Sequence, residues 1–369
     1  MEGLVRTPRE QFWRGKRVLI TGHTGFKGSW LAQVLARQGA HVAGVALPPV
    51  TEPNLFTLAR VDNILDGYCC DIRSADALAS VVKTIRPDIV FHLAAQSLVR
   101  AGYRHPIETV AINVMGTAHL LDALRGIDAV RVAVLITTDK VYKNREWPYP
   151  YREDDPLGGH DPYSASKAAA ELVVESFRLS YLRERGVAVA TARAGNVIGG
   201  GDWSEDRLVP DAVRAWSSGS PLYVRHPGSV RPWQHVLDPL HGYANLAEQL
   251  WDNPELAGSY NFGPQIQSAV TVRSVVEYAR AAYGRGDVEY GHDDGPHEAG
   301  TLALESSKAR SVLGFVPRWP LETAIERTMK WYRRQAHGVD ARQLCEEDVA
   351  YYEETFGGRS RTGLQQEAA

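Results

Sequence analysis

Cysteine is nearly absent from this 369-residue chain: Cys69, Cys70 and Cys345 are too few for a disulfide framework. The adjacent pair falls in a stretch predicted as a buried strand, which suits reduced core thiols. No apolar run approaches the roughly 20 residues that a membrane-spanning helix needs. The opening "MEGLVRTPREQFWRGKR" is polar and has no signal core, so the cytoplasm is the expected location. An excess of charge of either sign is lacking too. The 41 Lys and Arg against 44 Asp and Glu leave a net charge of -3, which gives no electrostatic hold on nucleic acid or an anionic bilayer. Repeats and low-complexity tracts are absent. Metal binding is not expected, because His297 and Glu298 in "GPHEAG" have no second ligand cluster at metal spacing. The ending "GGRSRTGLQQEAA" is expected to be a disordered tail.

What remains is an ordinary globular composition, 44% apolar and 23% charged. Its length suits two domains or one elaborated α/β domain. Apolar runs at 17–22, 41–47, 68–72, 88–95, 131–139 and 187–195 read as strands. Helical stretches lie between most of them, notably 28–39, 74–84, 107–125 and 163–184. Apolar strands alternating with helices predict a doubly wound parallel sheet covered on both faces. After residue 196 the texture changes to short segments rich in Trp, Pro, Arg and Gly. That predicts a smaller, loop-rich C-terminal substrate region packed over the carboxyl ends of the strands. The expected division is 1–195 for the sheet domain with a return segment at 236–262, then 196–235 and 263–350 for the smaller region and 351–369 for the tail.

Between the first strand and the first helix, "TGHTGFKG" places Gly22, Gly25 and Gly28 at G-x-x-G-x-x-G spacing. Such glycines allow a tight turn and close approach of a pyrophosphate to the helix N-terminus. A bare glycine trio also serves any tight turn, but its position here predicts a dinucleotide site. The second strand ends "GVALPP", without the acid that meets the adenosine ribose of NAD. Arg60 comes too late to serve as a 2′-phosphate clamp, so NAD is expected over NADP only weakly. Asp71 in "CCDIR" is placed for the adenine edge, or alternatively to cap a helix beginning near Ser74.

"DPYSASKAAAEL" carries Tyr163 and Lys167 at i,i+4, on one face of a helix that Pro162 helps to start. An amphipathic helix with one aromatic and one lysine gives the same pattern. Behind a glycine-rich turn, the pair instead suggests proton transfer at a hydroxyl. A phenol with an ordinary pKa of about 10 must then ionise near neutrality, a difference of roughly 4 kcal/mol. Lys167 and a nicotinamide cation are the groups expected to favour the phenolate.

Together with "HLAAQ", "NVMGT" and "RAGNVIGGGDW", these motifs resemble the extended short-chain dehydrogenase/reductase family over nearly the whole chain. The strings "GHTGFKGSWL", "TTDKVY", "NREW", "PLGGHDPYSASK", "DRLVPD" and "RPWQHV" are most similar to its nucleotide-sugar 4,6-dehydratases, in the CDP-glucose branch. The resemblance implies a Rossmann domain and NAD as a cofactor that is borrowed and returned. Gly22, Thr24, Gly25, Phe26, Lys27, Gly28, Asp71, Ile72, Ala94, Ala95 and Asn113 are then the cofactor residues, with Tyr163 and Lys167. Asn113 also braces the tyrosine. Gln96, Thr138, Asn196, Arg207 and Arg231 are implied to hold the nucleotide sugar. A guanidinium fork at Arg231 suits a diphosphate on its own chemistry, though a loop salt bridge would use it equally, and Asn196 suits a turn as well. Trp203 and Trp233 are open between flanking the ligand and packing a core.

The implied reaction passes a hydride from C4 to C6 of the hexose with loss of water. It needs Tyr163 at O4, an acid near C6 and a base near C5. Relatives commonly carry Thr-Asp-Glu at the end of the fifth strand; this chain has Thr138-Asp139-Lys140. Asp139 is then the acid. Lys140 is expected to be the C5 base, which requires it to shed its proton, or else to stabilise the enolate as a cation. Residues 139 and 140 diverge if the strand continues and converge on one hexose if the backbone turns there. A 4-epimerase or decarboxylase shares the tyrosine but needs no acid at C6, and a scaffold protein would not need Tyr163 and Lys167. Relatives pair through two long helices, so a homodimer or homotetramer using 107–125 and 163–184 is expected.

Overall fold

The computed structural model describes residues 10–265, 270–291 and 300–362. Six strands follow the sequence pattern: β1 (Arg17–Thr21), β2 (His41–Ala46), β3 (Asp66–Cys69), β4 (Ile89–His92), β5 (Val132–Ile136) and β6 (Ala188–Ala194). A seventh, Ser259–Phe262, pairs with β6. All are parallel, in the order β3, β2, β1, β4, β5, β6, seventh strand.

Alternate side chains leave opposite faces of a strand, and each face needs its own cover. Val18 and Ile20 point into one core with Trp30, Leu31 and Val34 of helix Phe26–Arg37 and with Leu240 and Tyr243 of helix Leu237–Asp252. Leu19 between them points into the other core. There it joins Leu78 and Val82 of helix Ala75–Ile85, Leu120 and Leu121 of helix Gly116–Leu124, and Val174 of helix Pro162–Phe177. The strand order reverses direction at β1, which has β2 on one side and β4 on the other. The crevice between the carboxyl ends of β1 and β4 is where a doubly wound sheet takes a ligand.

Three expectations need correction. The stretch around the paired cysteines is not a buried strand. Lying at the sheet edge, β3 is largely exposed, Cys69 with it, and Cys70 is buried just past its end. The C-terminal region is rich in helices rather than loops: Leu208–Ser217, Val272–Tyr283, Ser307–Leu313, Leu321–Ala336 and Ala341–Thr362. The last of these also replaces a tail starting at 351, because Tyr352 is buried and donates a hydrogen bond to Asp238 (2.7 Å). Residues 363–369, His297 and Glu298 lie outside the described residues. No described helix is long and apolar enough to cross a membrane, and no described cluster of acids, histidines and cysteines could hold a metal ion.

Candidate active site

At the carboxyl ends of the strands lies one continuous cavity of about 1450 Å³. Its cofactor half begins at the glycine-rich turn. Gly22 has φ +77°, and a Cβ there would stand 2.7 Å from the Ala94 nitrogen; at Gly28 it would stand 2.2 Å from the Gly22 carbonyl oxygen. Helix Phe26–Arg37 therefore starts right against β4, capped by Gly25 without a side-chain bond. Its unpaired first N–H groups face the cavity, a cradle that fits a dinucleotide pyrophosphate. Gly22, Thr24, Gly25, Phe26, Lys27, Gly28, Asp71, Ile72, Ala94 and Ala95 all line this space. Thr24 Oγ1 donates to the Leu47 carbonyl (2.9 Å), which ties the turn to the segment after β2. Burial and the nearby Arg207 charge bring the Lys27 ammonium down to about 7, with Asp139 acting the other way.

Asp71 is paired with Arg73, accepting from its backbone N–H (2.9 Å) and its guanidinium (2.6 Å). It does not cap helix Ala75–Ile85, whose N-cap is Ser74. Arg60 pairs with Asp340 (2.8 Å) and does not line the cavity. Asn113 does not line it either. It sits behind the wall in a π-helical turn, Ala111–Met115, donating to the Gln96 carbonyl (3.0 Å) and Ser166 (2.9 Å). The extra residue of such a turn re-aims a side chain, and here it makes Asn113 a brace for helix Pro162–Phe177 rather than a lining residue. Gln96 lines the cavity, but its amide is occupied by Thr109 of helix Pro106–Val110 (2.9 Å) and by the Leu98 N–H (2.6 Å).

The reacting half is built by β5 and helix Pro162–Phe177. Asp161 caps that helix through the Ser164 N–H (3.0 Å), with Pro162 in its first turn, which sets Tyr163 and Lys167 in the cavity wall. Strand β5 ends at Ile136, and Asp139–Val141 form a 3-10 turn capped by the Thr138 side chain. The turn lets residues 139 and 140 converge. Lys140 Nζ donates to Asp139 Oδ1 at 3.0 Å, and Thr138 Oγ1 donates to the same oxygen at 3.0 Å. Thr138 and Lys140 line the cavity. Asp139 does not: it is 0% exposed, and its Oδ2, without a partner, lies against Gly195 of the cavity wall.

Burial pushes the Tyr163 phenol up to about 12. Its hydrogen bond with Thr138 works the other way, Asp139 adds to the rise, and Arg207 opposes it. The expected helper, Lys167, is instead turned to the Ile136 carbonyl (3.2 Å), and burial brings it down to about 8 while Glu171 holds it up. Arg207 is thus a further cation that favours the phenolate.

The far half is formed by the smaller region. Strand pairing of Asn196–Ile198 with Trp233–His235 sets Asn196 beside Trp233. Both line the cavity, and Asn196 Oδ1 is buried without a hydrogen-bond partner. Arg207 pairs with Asp202 (2.9 Å) and reaches Ser97 (3.3 Å). Arg231 donates to the carbonyls of Val230 (3.1 Å) and Gly300 (3.0 Å), which fix its fork at the cavity edge. Trp203 and Trp233 each line the cavity and pack against the core, Trp203 edge-on to Tyr332. Asp202, Asp161 and Glu171 carry weight that the sequence reading did not assign. Glu171 had a visible signal, since it continues the i,i+4 series of Tyr163 and Lys167.

The chain is 44% identical to CDP-glucose 4,6-dehydratase of Salmonella typhimurium over 93% of its own length and 98% of that enzyme. It is 28% identical to UDP-glucose 4-epimerase of Halalkalibacterium halodurans, covering 87% and 97%. Among solved structures, MoeE5 in complex with UDP-glucose and NAD superposes with a TM-score of 0.74 at 27% identity, over 86% of this chain and 99% of that one. The family model described as GDP-mannose 4,6 dehydratase matches residues 19–328, and the chain belongs to that family.

Proposed function

We infer that this protein is an NAD-dependent hydro-lyase that converts CDP-glucose to CDP-4-keto-6-deoxyglucose. One observation carries the reading: Thr138, Lys140, Tyr163 and Lys167 share one cavity in a chain 44% identical, over nearly its full length, to a CDP-glucose 4,6-dehydratase. Bound NAD supplies the hydride acceptor for C4 and the hydride donor for C6.

The chain's own residues handle the protons. Tyr163 takes the O4 proton, with Thr138 orienting that oxygen. The Lys140–Asp139 contact holds one proton between two groups. Moving it from nitrogen to oxygen converts the ion pair into an amine and a carboxylic acid. The amine of Lys140 then takes the C5 hydrogen. The acid proton goes to the C6 hydroxyl, which leaves as water, and both groups return to their starting charges. Asp139 serves C6 from behind the wall, through its neighbours Thr138 and Lys140 or past Gly195. An epimerase has no use for this acid. Arg207, Arg231 and Asn196 are the groups suited to the nucleoside diphosphate.

Incubating the protein with NAD and each of CDP-, UDP-, dTDP- and GDP-glucose tests the reading. A 4-keto product 18 mass units lighter, formed fastest from CDP-glucose, is the expected result. Formation of CDP-galactose without loss of water overturns it.

A homodimer through the two long helices is supported by apolar side chains left open on both. Ile107 is 81% exposed, with Val110 and Met115 beside it; Leu172, Leu179 and Tyr181 are exposed on the second helix and its continuation. Ile107→Glu with Leu172→Glu should convert a dimer to a monomer in sedimentation. A wild-type chain that sediments as a monomer removes the proposal.

A further inference from the structure

Behind the reacting groups lies a buried ionic network that none of the reaction steps uses. Glu171 is 4% exposed, two turns past Tyr163 and one past Lys167 on the same helical face. Its carboxylate accepts from Thr137 Oγ1 (2.5 Å), Thr191 Oγ1 (2.7 Å) and Arg193 through Nε (3.0 Å) and Nη2 (2.9 Å). Arg193 in turn donates through Nη1 to Tyr142 Oη (2.9 Å) and the Glu153 carbonyl (2.9 Å), and Tyr142 donates to Asn261 (2.7 Å).

The placement of the two ends matters. Thr137 immediately precedes Thr138-Asp139-Lys140, and Tyr142 immediately follows the 3-10 turn. One carboxylate and one guanidinium thus hold both ends of the catalytic turn, and the carboxylate is anchored in the helix that carries Tyr163 and Lys167. A buried ion pair with all its hydrogen bonds made specifies one arrangement even where it adds little net stability.

We propose that Glu171 is a positioning residue for the dehydration: with Arg193 it fixes the Thr138-Asp139-Lys140 turn against the Tyr163 helix. The proposal rests on the assignment of Tyr163 and Lys167 as the proton-transfer pair. Among the described residues, Lys27 from the glycine-rich turn and His92 from β4 also face Lys167, and Tyr163 lies one turn before it on the same helix. Glu171 is the anion in this set, and it supports the Lys167 charge against burial. Without it, the Lys167 ammonium is lost at a lower pH.

Three variants test the proposal. In Glu171→Gln/Arg193→Met, which removes both buried charges together, the alkaline limb of kcat for dehydration should move down by about one pH unit, with an unchanged KM for CDP-glucose. Thr137→Val keeps the shape and the Glu171 charge while freeing one end of the turn. It should slow C5 exchange and water loss about tenfold with no shift of the limb. Tyr163→Phe is the control. If it retains activity, the assignment of the catalytic pair fails. If it is inactive while the double variant keeps the wild-type kcat and pH profile, this proposal alone fails. Should the double variant not fold, Thr137→Val decides: a slowed step with an unmoved limb supports the positioning role, and wild-type rates overturn it.

Discussion

Lys140 and Asp139, adjacent in the chain, meet side chain to side chain at 3.0 Å, the lysine at the cavity and the aspartate fully buried. Neighbours on an extended strand would point apart. They converge because β5 ends at Ile136 and the chain tightens into a 3-10 turn. In the proposed reaction this contact joins the acid directly to the base, so that one proton can pass between them.

Removing either partner should break a different half of the reaction. Lys140→Ala is expected to lose exchange of the C5 hydrogen with solvent deuterium, by 10²-fold or more, on the order of a lost general base. Asp139→Asn should keep that exchange and lose expulsion of the C6 hydroxyl. Exchange at the wild-type rate in Lys140→Ala would exclude the lysine from this step.

Thr138 should control the pH at which Tyr163 becomes a base. Burial raises the phenol to about 12, and the Thr138 hydrogen bond is the largest effect pulling it down. Phenolate is the active form, so raising its pKa moves the acid limb of hydride transfer to higher pH. Thr138→Val should shift that limb upward by about one unit in single-turnover absorbance at the reduced nicotinamide. An unmoved limb means that the bond does not operate in the complex.

Arg231→Lys should weaken substrate binding without slowing chemistry. The fork is held by two carbonyls, and a point charge cannot reproduce its two-pronged grip on a diphosphate. The expected loss is about 1.5–3 kcal/mol, read as a raised KM with kcat nearly unchanged. A fall in kcat at constant KM would place Arg231 in the chemical step instead.

Acid should destabilise the fold well above the usual carboxylate range. Burial holds His23 down to about 4 and His92, His235 and His241 down to about 3, so unfolding below pH 6.5 takes up protons. Asp238 and Asp348, both raised to about 6 by burial, work the other way, since they keep protons in the folded state that unfolding releases. Between about pH 6 and 4 the difference is roughly two protons taken up, or about 3 kcal/mol of stability lost per pH unit. Tm should therefore fall on acidification from pH 7 to 5, and Asp238→Asn should steepen the fall. A Tm that holds constant to pH 5 rules out neutral histidines as the cause.

The exposed face of the two long helices belongs with what the sequence announced and the chain alone leaves open: Ile107 and Leu172 are apolar where solvent would favour charge. The strands, the glycine turn, and Tyr163 with Lys167 one turn apart were all legible, because each is set by local spacing of 2, 3.6 or a fixed turn. Reading 68–72 as a buried strand failed because an apolar run does not say whether it lies in the middle of a sheet or at its edge. The helices after residue 270 were missed because Trp, Pro and Gly in 196–265 were taken as the texture of the whole region.

By itself the sequence determined the doubly wound sheet, the dinucleotide turn and the presence of Thr138, Asp139, Lys140, Tyr163 and Lys167 near one another. Only the tertiary structure decided how they stand. Asp139 lies behind the cavity wall, Asn113 is a brace, Arg207 adds a cation near the phenol, and Glu171 with Arg193 holds both ends of the Thr138-Asp139-Lys140 turn. The reason is that these relations join β5, β6, the seventh strand and the Tyr163 helix. Burial and partners 20 to 119 residues apart are properties of the packed sheet, and spacing along a chain does not encode them.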